Sequence, residues 1–319
     1  MNGLPKTRFL GLIALVCFSL VNGFAHADLL YVANNGNNTV DVINPSGQAS
    51  VFASTGLSGP GGLAFDSSGN LYVGNFNNNT IEKFNPTGQG TLFANSLMNG
   101  PAGMAFDTNG NLYVGSLNSS GAPFGGSIAK FNSTGSGAVF TDSTAPGSPL
   151  RVPYDIAINN SGVVYVANLD GQNILEYGQL GVVSIFASGF TQPTGMAFDK
   201  SGNLYVSVWG DPDLGSPLSY TTNGVIMKFD SSGNGTVFAS GLNGPTGLAF
   251  DSAGNLYAAI VGDNTIEKFD SSGNGTVFAS GLDAPVFIAF QVPEPAAWIL
   301  VVLGVGVILA NRRSRRYFL

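Results

Sequence analysis

Apolar and polar residues alternate over short runs along most of the chain, and turn residues separate these runs. In one unit the runs cover residues 62–66, 71–75, 80–85 and 90–94. The intervening segments are Ser-Ser-Gly-Asn, Phe-Asn-Asn-Asn and Pro-Thr-Gly-Gln, which are rich in residues that favour tight turns. A period of two over such short runs predicts four antiparallel strands in each unit.

One motif marks these units: Gly-Pro-x-Gly-(Leu/Met)-Ala-Phe-Asp-x-x-Gly-Asn-Leu-Tyr-Val. Full copies begin at Gly59, Gly100, Gln192 and Gly244, and a diverged copy begins at Val152. The N-terminal copy starts late, in residues 29–34, and its missing opening strand is found at residues 284–290. The tyrosine of the motif occurs six times, at Tyr31, Tyr72, Tyr113, Tyr165, Tyr205 and Tyr257.

Four-stranded units of about forty residues are typical of β-propellers, in which each sheet packs on its neighbours. The six tyrosines therefore predict an all-β fold with six blades over residues 28–291. We expect residues 284–290 to pair with the N-terminal strands, so that the two ends of the domain close the ring and leave no open edge there.

The first 27 residues have the composition of a secretory signal peptide. Lys6 and Arg8 precede an apolar run over residues 9–21, and Ala25-His26-Ala27 forms a small-x-small cleavage site. We therefore expect signal peptidase to remove residues 1–27 and the domain to be exported.

The C-terminal segment, residues 292–319, has three parts. Val292, Pro293, Glu294 and Pro295 are followed by fifteen uncharged residues at 296–310 and by a basic tail at 311–319 that contains Arg312, Arg313, Arg315 and Arg316. Fifteen helical residues span about 22 Å, enough for a short membrane anchor, here a single transmembrane helix. The arginines favour the cytoplasmic side, which places the propeller outside. A plain tail anchor is one interpretation.

This tail also resembles the PEP-CTERM sorting signal, in which Val-Pro-Glu-Pro, a membrane helix and a basic cluster occur in this order. The resemblance implies a Gram-negative bacterium that makes exopolysaccharide, with an exosortase as the processing partner. It further implies transient anchoring by the helix and then release to the cell surface or the extracellular matrix.

Composition excludes several kinds of site. Residues 28–291 contain 6 basic and 18 acidic residues, a net charge of −12 that disfavours binding to nucleic acid. Cys17 and His26 are the only cysteine and histidine, and both precede Asp28. The predicted propeller therefore lacks the residues for disulfides, thiolate or histidine-based catalysis and ordinary zinc sites.

The repeated motif, followed by Asn-Asn-Thr-Ile-Glu-Lys-Phe, resembles NHL-repeat and SMP-30/gluconolactonase-like six-bladed propellers. Such propellers include lactonases, lyases and binding modules. The lactonase resemblance implies metal ligands between the Pro and Gly of the inner strands. In this chain none of those positions holds a good metal ligand, and Asp155 is a solitary carboxylate beside them. The residues at those positions are Gly61, Ala102, Tyr154, Thr194, Thr246 and Val286.

The repeated Asp-x-x-Gly-Asn could bind Ca²⁺, because carboxylate oxygens suit this ion. A hairpin turn requires the same residue types, and we favour the turn. No cofactor is therefore predicted, with Ca²⁺ as the alternative.

Two blades carry about eleven extra residues in loops that we expect on one face of the propeller. These loops and the ends of the second strands form a candidate ligand rim. The alternatives are that the long loops merely tolerate insertion and that the asparagines only form turns. The candidate rim residues are Asn34, Asn75, Phe124, Asn168, Trp209, Asp211, Asp213 and Tyr220.

The sequence thus favours an exported surface or matrix propeller that binds polysaccharide or other surface proteins without catalysis. The alternative is a metal-dependent sugar-lactone hydrolase.

Overall fold

The computed structural model describes residues 28–117, 125–178, 181–209 and 224–291. The predicted signal peptide and sorting signal lie outside these residues. The described residues form six four-stranded antiparallel sheets. The innermost strand of each sheet contacts the innermost strand of the next sheet, and this series of contacts returns to its starting point. The described chain is therefore a closed six-bladed β-propeller, as the repeat predicts.

The strands are given blade by blade, from the innermost to the outermost. Blade 1 contains β24 (Pro285–Gln291), β1 (Leu29–Asn34), β2 (Thr39–Ile43) and β3 (Ala49–Ala53). Blade 2 contains β4 (Pro60–Phe65), β5 (Leu71–Asn75), β6 (Thr80–Phe84) and β7 (Gly90–Ala94). Blade 3 contains β8 (Pro101–Phe106), β9 (Leu112–Ser116), β10 (Ser127–Phe131) and β11 (Gly137–Asp142).

The remaining three blades follow the same order. Blade 4 contains β12 (Pro153–Ile158), β13 (Val164–Asn168), β14 (Asn173–Tyr177) and β15 (Val183–Ser188). Blade 5 contains β16 (Pro193–Phe198), β17 (Leu204–Val208), β18 (Gly224–Phe229) and β19 (Gly235–Leu242). Blade 6 contains β20 (Pro245–Phe250), β21 (Leu256–Ile260), β22 (Thr265–Phe269) and β23 (Gly275–Ser280).

Blade 1 is assembled from both ends of the described chain. β1 pairs with β2 on one side and with β24 on the other, and Val32 lies opposite Ile288 in the second pairing. The split copy of the repeat is therefore one complete sheet.

The inner strand of blade 2 begins at Pro60, two residues before the alternation of residues indicates. The reason is a β-bulge: Pro60 pairs with Asn75 and Leu63 with Val73, so two residues of β4 lie opposite the single residue Gly74. A bulge interrupts the period of two on which the sequence prediction depends.

Aromatic side chains fill the space between neighbouring blades. Tyr72 in blade 2 makes edge-to-face contacts with Phe93 of its own blade at 4.8 Å and with Phe106 of blade 3 at 5.0 Å, measured between ring centroids. Phe93 also contacts Phe131 of blade 3, at 6.2 Å. Edge-to-face pairs at these distances stabilise a fold beyond the area that they bury.

Each outermost strand carries a β-bulge that turns its phenylalanine into this interface. In blade 2, Ile81 pairs with Ala94 and Glu82 pairs with Leu92, so Phe93 has no partner in the register. The register shifts in the same way in the other five blades. The bulge both supplies the aromatic contact and distorts an otherwise open strand edge.

The Asp-x-x-Gly-Asn segments form the tight turns between first and second strands. Asp66 accepts the backbone N–H groups of Ser68 at 3.0 Å and Asn70 at 2.9 Å through Oδ1. Its Oδ2 accepts the amide of Asn70 at 2.8 Å and lies 3.2 Å from the ammonium group of Lys83. These are the hydrogen bonds that a turn requires.

Substituting the bulged phenylalanine tests this packing. We expect Phe93→Ala to lower the free energy of unfolding by about 3 kcal/mol, because it removes two aromatic contacts and leaves a cavity. Leu92→Ala is the matched control: the neighbouring side chain is 55% exposed, so we expect a change within about 0.5 kcal/mol. Urea unfolding measures both, and equal effects of the two substitutions would contradict the assigned roles.

Candidate functional site

The second-to-third-strand loops and the blade-to-blade connections lie on one face, here called the rim face. The backbone N–H of Phe76 donates to the carbonyl of Gly59 at 2.9 Å, and that of Asn77 donates to Ser58 at 3.1 Å. The first of these bonds recurs in the other blades, from Asn35, Leu117, Leu169, Trp209 and Val261. In the described residues these loops and connections thus share one face, while the long segments 118–124 and 210–223 lie outside the described residues.

Two inner-strand threonines at positions where the lactonase resemblance implies ligands are used by the fold. Thr194 and Thr246 are 0% exposed. The hydroxyl of Thr194 lies 3.2 Å from the carbonyl of Ser207 and 3.0 Å from that of Pro245 in the next blade. Thr246 makes the equivalent contacts with Ala259 and with Pro285 of blade 1. Both hydroxyls therefore link neighbouring blades.

An aromatic pair crosses the centre of the ring. The rings of Tyr154 and Phe287 are stacked with centroids 5.6 Å apart and an interplanar angle of 22°. Tyr154 belongs to the inner strand of blade 4 and Phe287 to that of blade 1, so they come from opposite blades. Side chains that meet from opposite sides of a ring fill its central channel at that level.

Close packing of the inner strands explains why most blades have no side chain at the position of Phe287. Asp155 and Phe287 occupy the position that is glycine in the other four blades. At Gly247 a Cβ would lie 2.7 Å from Cα of Phe287 and 2.8 Å from the carbonyl oxygen of Val286. Four blades therefore require glycine here, and only blades 1 and 4 have a side chain at this position.

Asp155 is a buried carboxylate between two blades. Its Oδ2 accepts the backbone N–H of Met196 in blade 5 at 2.8 Å, and its Oδ1 accepts that of Ile156 at 2.8 Å. Burial away from water raises the pKa of Asp155 from 3.8 to about 7, and the two backbone N–H groups oppose this only in part. Among the described residues, no group of three or more His, Cys, Asp or Glu side chains could hold a metal ion.

The predicted rim asparagines are buried at the ends of the second strands. Asn34, Asn75 and Asn168 are 0% exposed. Asn75 accepts the backbone N–H of Ser58 at 3.0 Å and donates to the carbonyl of Gly56 at 2.9 Å, so its amide ties the incoming connection to the blade.

Asn168 and Asn34 differ in how fully they are engaged. Asn168 accepts the N–H of Arg151 at 2.7 Å and donates to Pro149 at 3.1 Å. Asn34 donates to the hydroxyl of Thr39 at 3.1 Å, and its buried Oδ1 has no hydrogen-bond partner among the described residues. The amides of Asn75 and Asn168 are thus occupied by the chain, and contact with a ligand stays a prediction for these residues.

The structure describes one of the other five predicted rim residues. Trp209 lies on the rim face, partly buried, where its backbone N–H donates to Gln192 at 3.2 Å. Phe124, Asp211, Asp213 and Tyr220 lie outside the described residues.

One rim residue was missed by sequence reasoning. Phe76 takes the same structural position as Trp209 but is 37% exposed. The signal was present, since both follow the strand-ending residue that comes three positions after the motif tyrosine.

Comparisons with known proteins agree on the fold. The NHL repeat family model matches residues 57–84. No curated protein matches the sequence. In the described residues, no helix is long and apolar enough to span a membrane.

Solved structures with similar folds have different functions. A chain from the nidogen/laminin complex matches with a TM-score of 0.68 and 17% identity, over 83% of this chain and 98% of that one. A gluconolactonase from Xanthomonas campestris matches with a TM-score of 0.56 and 16% identity, over 82% and 86%. Virginiamycin B lyase from Staphylococcus aureus matches with a TM-score of 0.52 and 16% identity, over 72% and 73%. At these identities the similarity shows the fold alone, a β-propeller, and no single activity.

The buried carboxylate predicts a dependence of stability on pH. The pKa of Asp155 is higher in the folded than in the unfolded protein, so its contribution to stability is fully present below pH 3.8 and is lost as the pH rises through about 7. We expect the free energy of unfolding to fall between pH 5 and pH 8 by about 3 kcal/mol at most, because pH 5 lies two units below the pKa of about 7.

Asp155→Asn is the matched variant because its side chain stays neutral over this range. Its carboxamide places an NH₂ group against one backbone N–H, so the variant loses stability at every pH, but its pH slope should be flatter than that of the parent. Urea unfolding at several pH values measures the two slopes. Parallel slopes would show that Asp155 does not titrate in this range.

Proposed function

We propose that this chain is an exported, surface-associated propeller that binds its partners through the rim face and has no catalytic role. The observation that carries the proposal is that two aromatic side chains meet in the central channel. Gluconolactonase-like activity would require a metal and a base that reach a substrate, whereas the stacked rings of Tyr154 and Phe287 fill the centre of the ring.

The polar groups near the channel support the same proposal. The hydroxyls of Thr194 and Thr246 are committed to carbonyl groups of the next blade. Both carboxylate oxygens of Asp155 accept backbone N–H groups inside the protein. Stabilising a reaction intermediate there would require breaking the contacts that hold the blades together.

A metal-dependent sugar-lactone hydrolase is the second candidate. One observation favours it: the raised pKa of Asp155 is in the range that suits a general base at neutral pH. The burial of Asp155 argues against that role, because it is 7% exposed and a substrate would have to displace the neighbouring blade to reach it.

Assays of the purified protein with aldonolactones distinguish the two candidates. We expect no turnover above the uncatalysed rate with Ca²⁺, Mn²⁺ or Zn²⁺, and no change in thermal midpoint on chelation, with a known gluconolactonase as the positive control. Turnover that requires a metal and is lost in Asp155→Asn would establish the hydrolase instead.

The proposed route to the surface rests on the two ends of the sequence. Residues 1–27 would direct export, and the Val-Pro-Glu-Pro motif at 292–295, the apolar segment and the arginines would be read by an exosortase. Because the described ring ends at Gln291, cleavage near the motif would leave all six blades intact.

Changing the motif tests this route. We expect a variant with alanine at Pro293, Glu294 and Pro295 to accumulate in the membrane with its tail attached, while the parent protein reaches the surface without it. Membrane and surface fractions followed by intact-mass measurement show the outcome. A parent protein that keeps residues 296–319 at its destination would favour a plain tail anchor.

A further inference from the structure

Exposed apolar residues occur in two distinct places on the propeller. Most lie on or directly before the outermost strands, one or two in each blade: Val51, Leu92, Val139, Val182, Ile185, Val237 and Val277. Among the described residues, the two large apolar side chains exposed elsewhere are Phe76, at 37%, and Leu97, at 38%. Both belong to the junction between blades 2 and 3 on the rim face, here called the blade 2–3 junction and comprising residues 76–79 and 95–100.

The ring of Phe76 is held in place at this junction. A Cβ on Gly100 would lie 2.8 Å from Cε2 and 3.4 Å from Cζ of Phe76, so one side of the ring packs against the Gly100 backbone. The N–H of Gly100 is in turn fixed by Asn79 Oδ1 at 2.7 Å. An aromatic ring that is anchored on one side and exposed on the other is a preorganised contact surface.

Leu97 has an unusual backbone conformation. Its φ is +67°, whereas the corresponding residues of four other connections are glycines with positive φ, namely Gly56, Gly189, Gly241 and Gly281. A left-handed leucine costs roughly 1–2 kcal/mol. Strain of this kind is concentrated at functional sites, and here it accompanies an exposed apolar side chain in the same junction as Phe76.

Two exposed amides belong to the same junction, and that of Asn77 lies close to Gly59. Asn77 follows Phe76 directly and Asn99 precedes Gly100; both are exposed. Neither side chain makes a hydrogen bond to another described residue, in contrast to the buried amide of Asn75. Each free amide offers two donors and an acceptor.

The junction carries no charge of its own. Residues 67–81 and 84–106 contain no charged side chain. Lys83 and Asp107, which flank the second stretch, form ion pairs at the turns of the opposite face. The carboxyl group of Glu82 lies at the neighbouring connection, beside Gly56. Charge complementarity therefore favours an uncharged partner.

We propose that the blade 2–3 junction binds a neutral carbohydrate, a deduction that rests on the proposed binding function. The apolar face of a hexopyranose would stack on the exposed side of Phe76 and contact Leu97. Its hydroxyl groups would exchange hydrogen bonds with the amides of Asn77 and Asn99. Neutral amides and an exposed aromatic ring in one junction match the alternating C–H and hydroxyl surface of a sugar.

The test is titration of the purified protein with neutral oligosaccharides (glucan, galactan and mannan series) and with the acidic polymer alginate, followed by saturation-transfer NMR and calorimetry. We expect binding to a neutral series and none to alginate. Phe76→Ala should weaken binding about tenfold, as expected for loss of one stacking contact. Phe76→Trp should retain it, because the indole ring can stack in the same way.

Two further variants separate binding from folding. Leu97→Gly should weaken binding without lowering stability, because glycine adopts a positive φ without strain and occupies the equivalent position in four connections. Leu92→Ala, which removes an exposed apolar side chain from the outer strand of the same blade, should leave binding unchanged.

The possible failures are distinguishable. No binding to any neutral series, a preference for alginate, or binding that Phe76→Ala leaves intact would each overturn the assigned site. Binding of a protein partner that depends on Phe76, without carbohydrate binding, would also overturn it but would support the proposed function. Metal-dependent lactonase turnover would contradict the proposed function itself.

Discussion

The structure depends on the packing of each blade against the next. A four-stranded sheet of this size cannot bury its apolar faces alone, and the aromatic residues lie where two blades meet. Tyr72 illustrates the constraint: its ring contacts one phenylalanine of its own blade and one of the following blade. An open row of blades would leave two such faces exposed. The pairing of β1 with β24 completes blade 1 and allows every blade to have two neighbours.

The same packing governs the centre of the ring. The inner strands approach so closely that four blades require glycine at one position, as at Gly62 and Gly247. Blades 1 and 4 depart from this rule, and they lie opposite each other. In blade 1 the residue at this position is Phe287, whose ring stacks on that of Tyr154, and in blade 4 it is the buried Asp155. At the level of this pair the channel of the propeller is therefore part of its core.

The fold could be predicted almost completely from the sequence, because the repeat encodes local events. The alternation of apolar and polar residues predicts the strands, the Asp-x-x-Gly-Asn segments predict the turns, and the divided copy of the repeat predicts the closure of the ring. The alternation of residues predicts the start of β4 two residues late, because a bulge at residues 61 and 62 interrupts that alternation. The site was much harder to predict. Asn75 and Phe76 are adjacent in a similar polar segment, yet the amide of Asn75 is buried and engaged while the ring of Phe76 is exposed. Nothing in their local sequence distinguishes these environments.

The sequence by itself determined the number of blades, the ring closure and the absence of cysteine and histidine after residue 27, because these depend on composition and on short-range patterns. Only the tertiary structure decided that Tyr154 meets Phe287, residues 133 positions apart, and that Asp155 reaches the backbone of Met196. It also decided which apolar side chains stay in water, among them Phe76 and Leu97. These contacts arise from the curvature of a closed ring, which brings distant segments together at distances that no local pattern records.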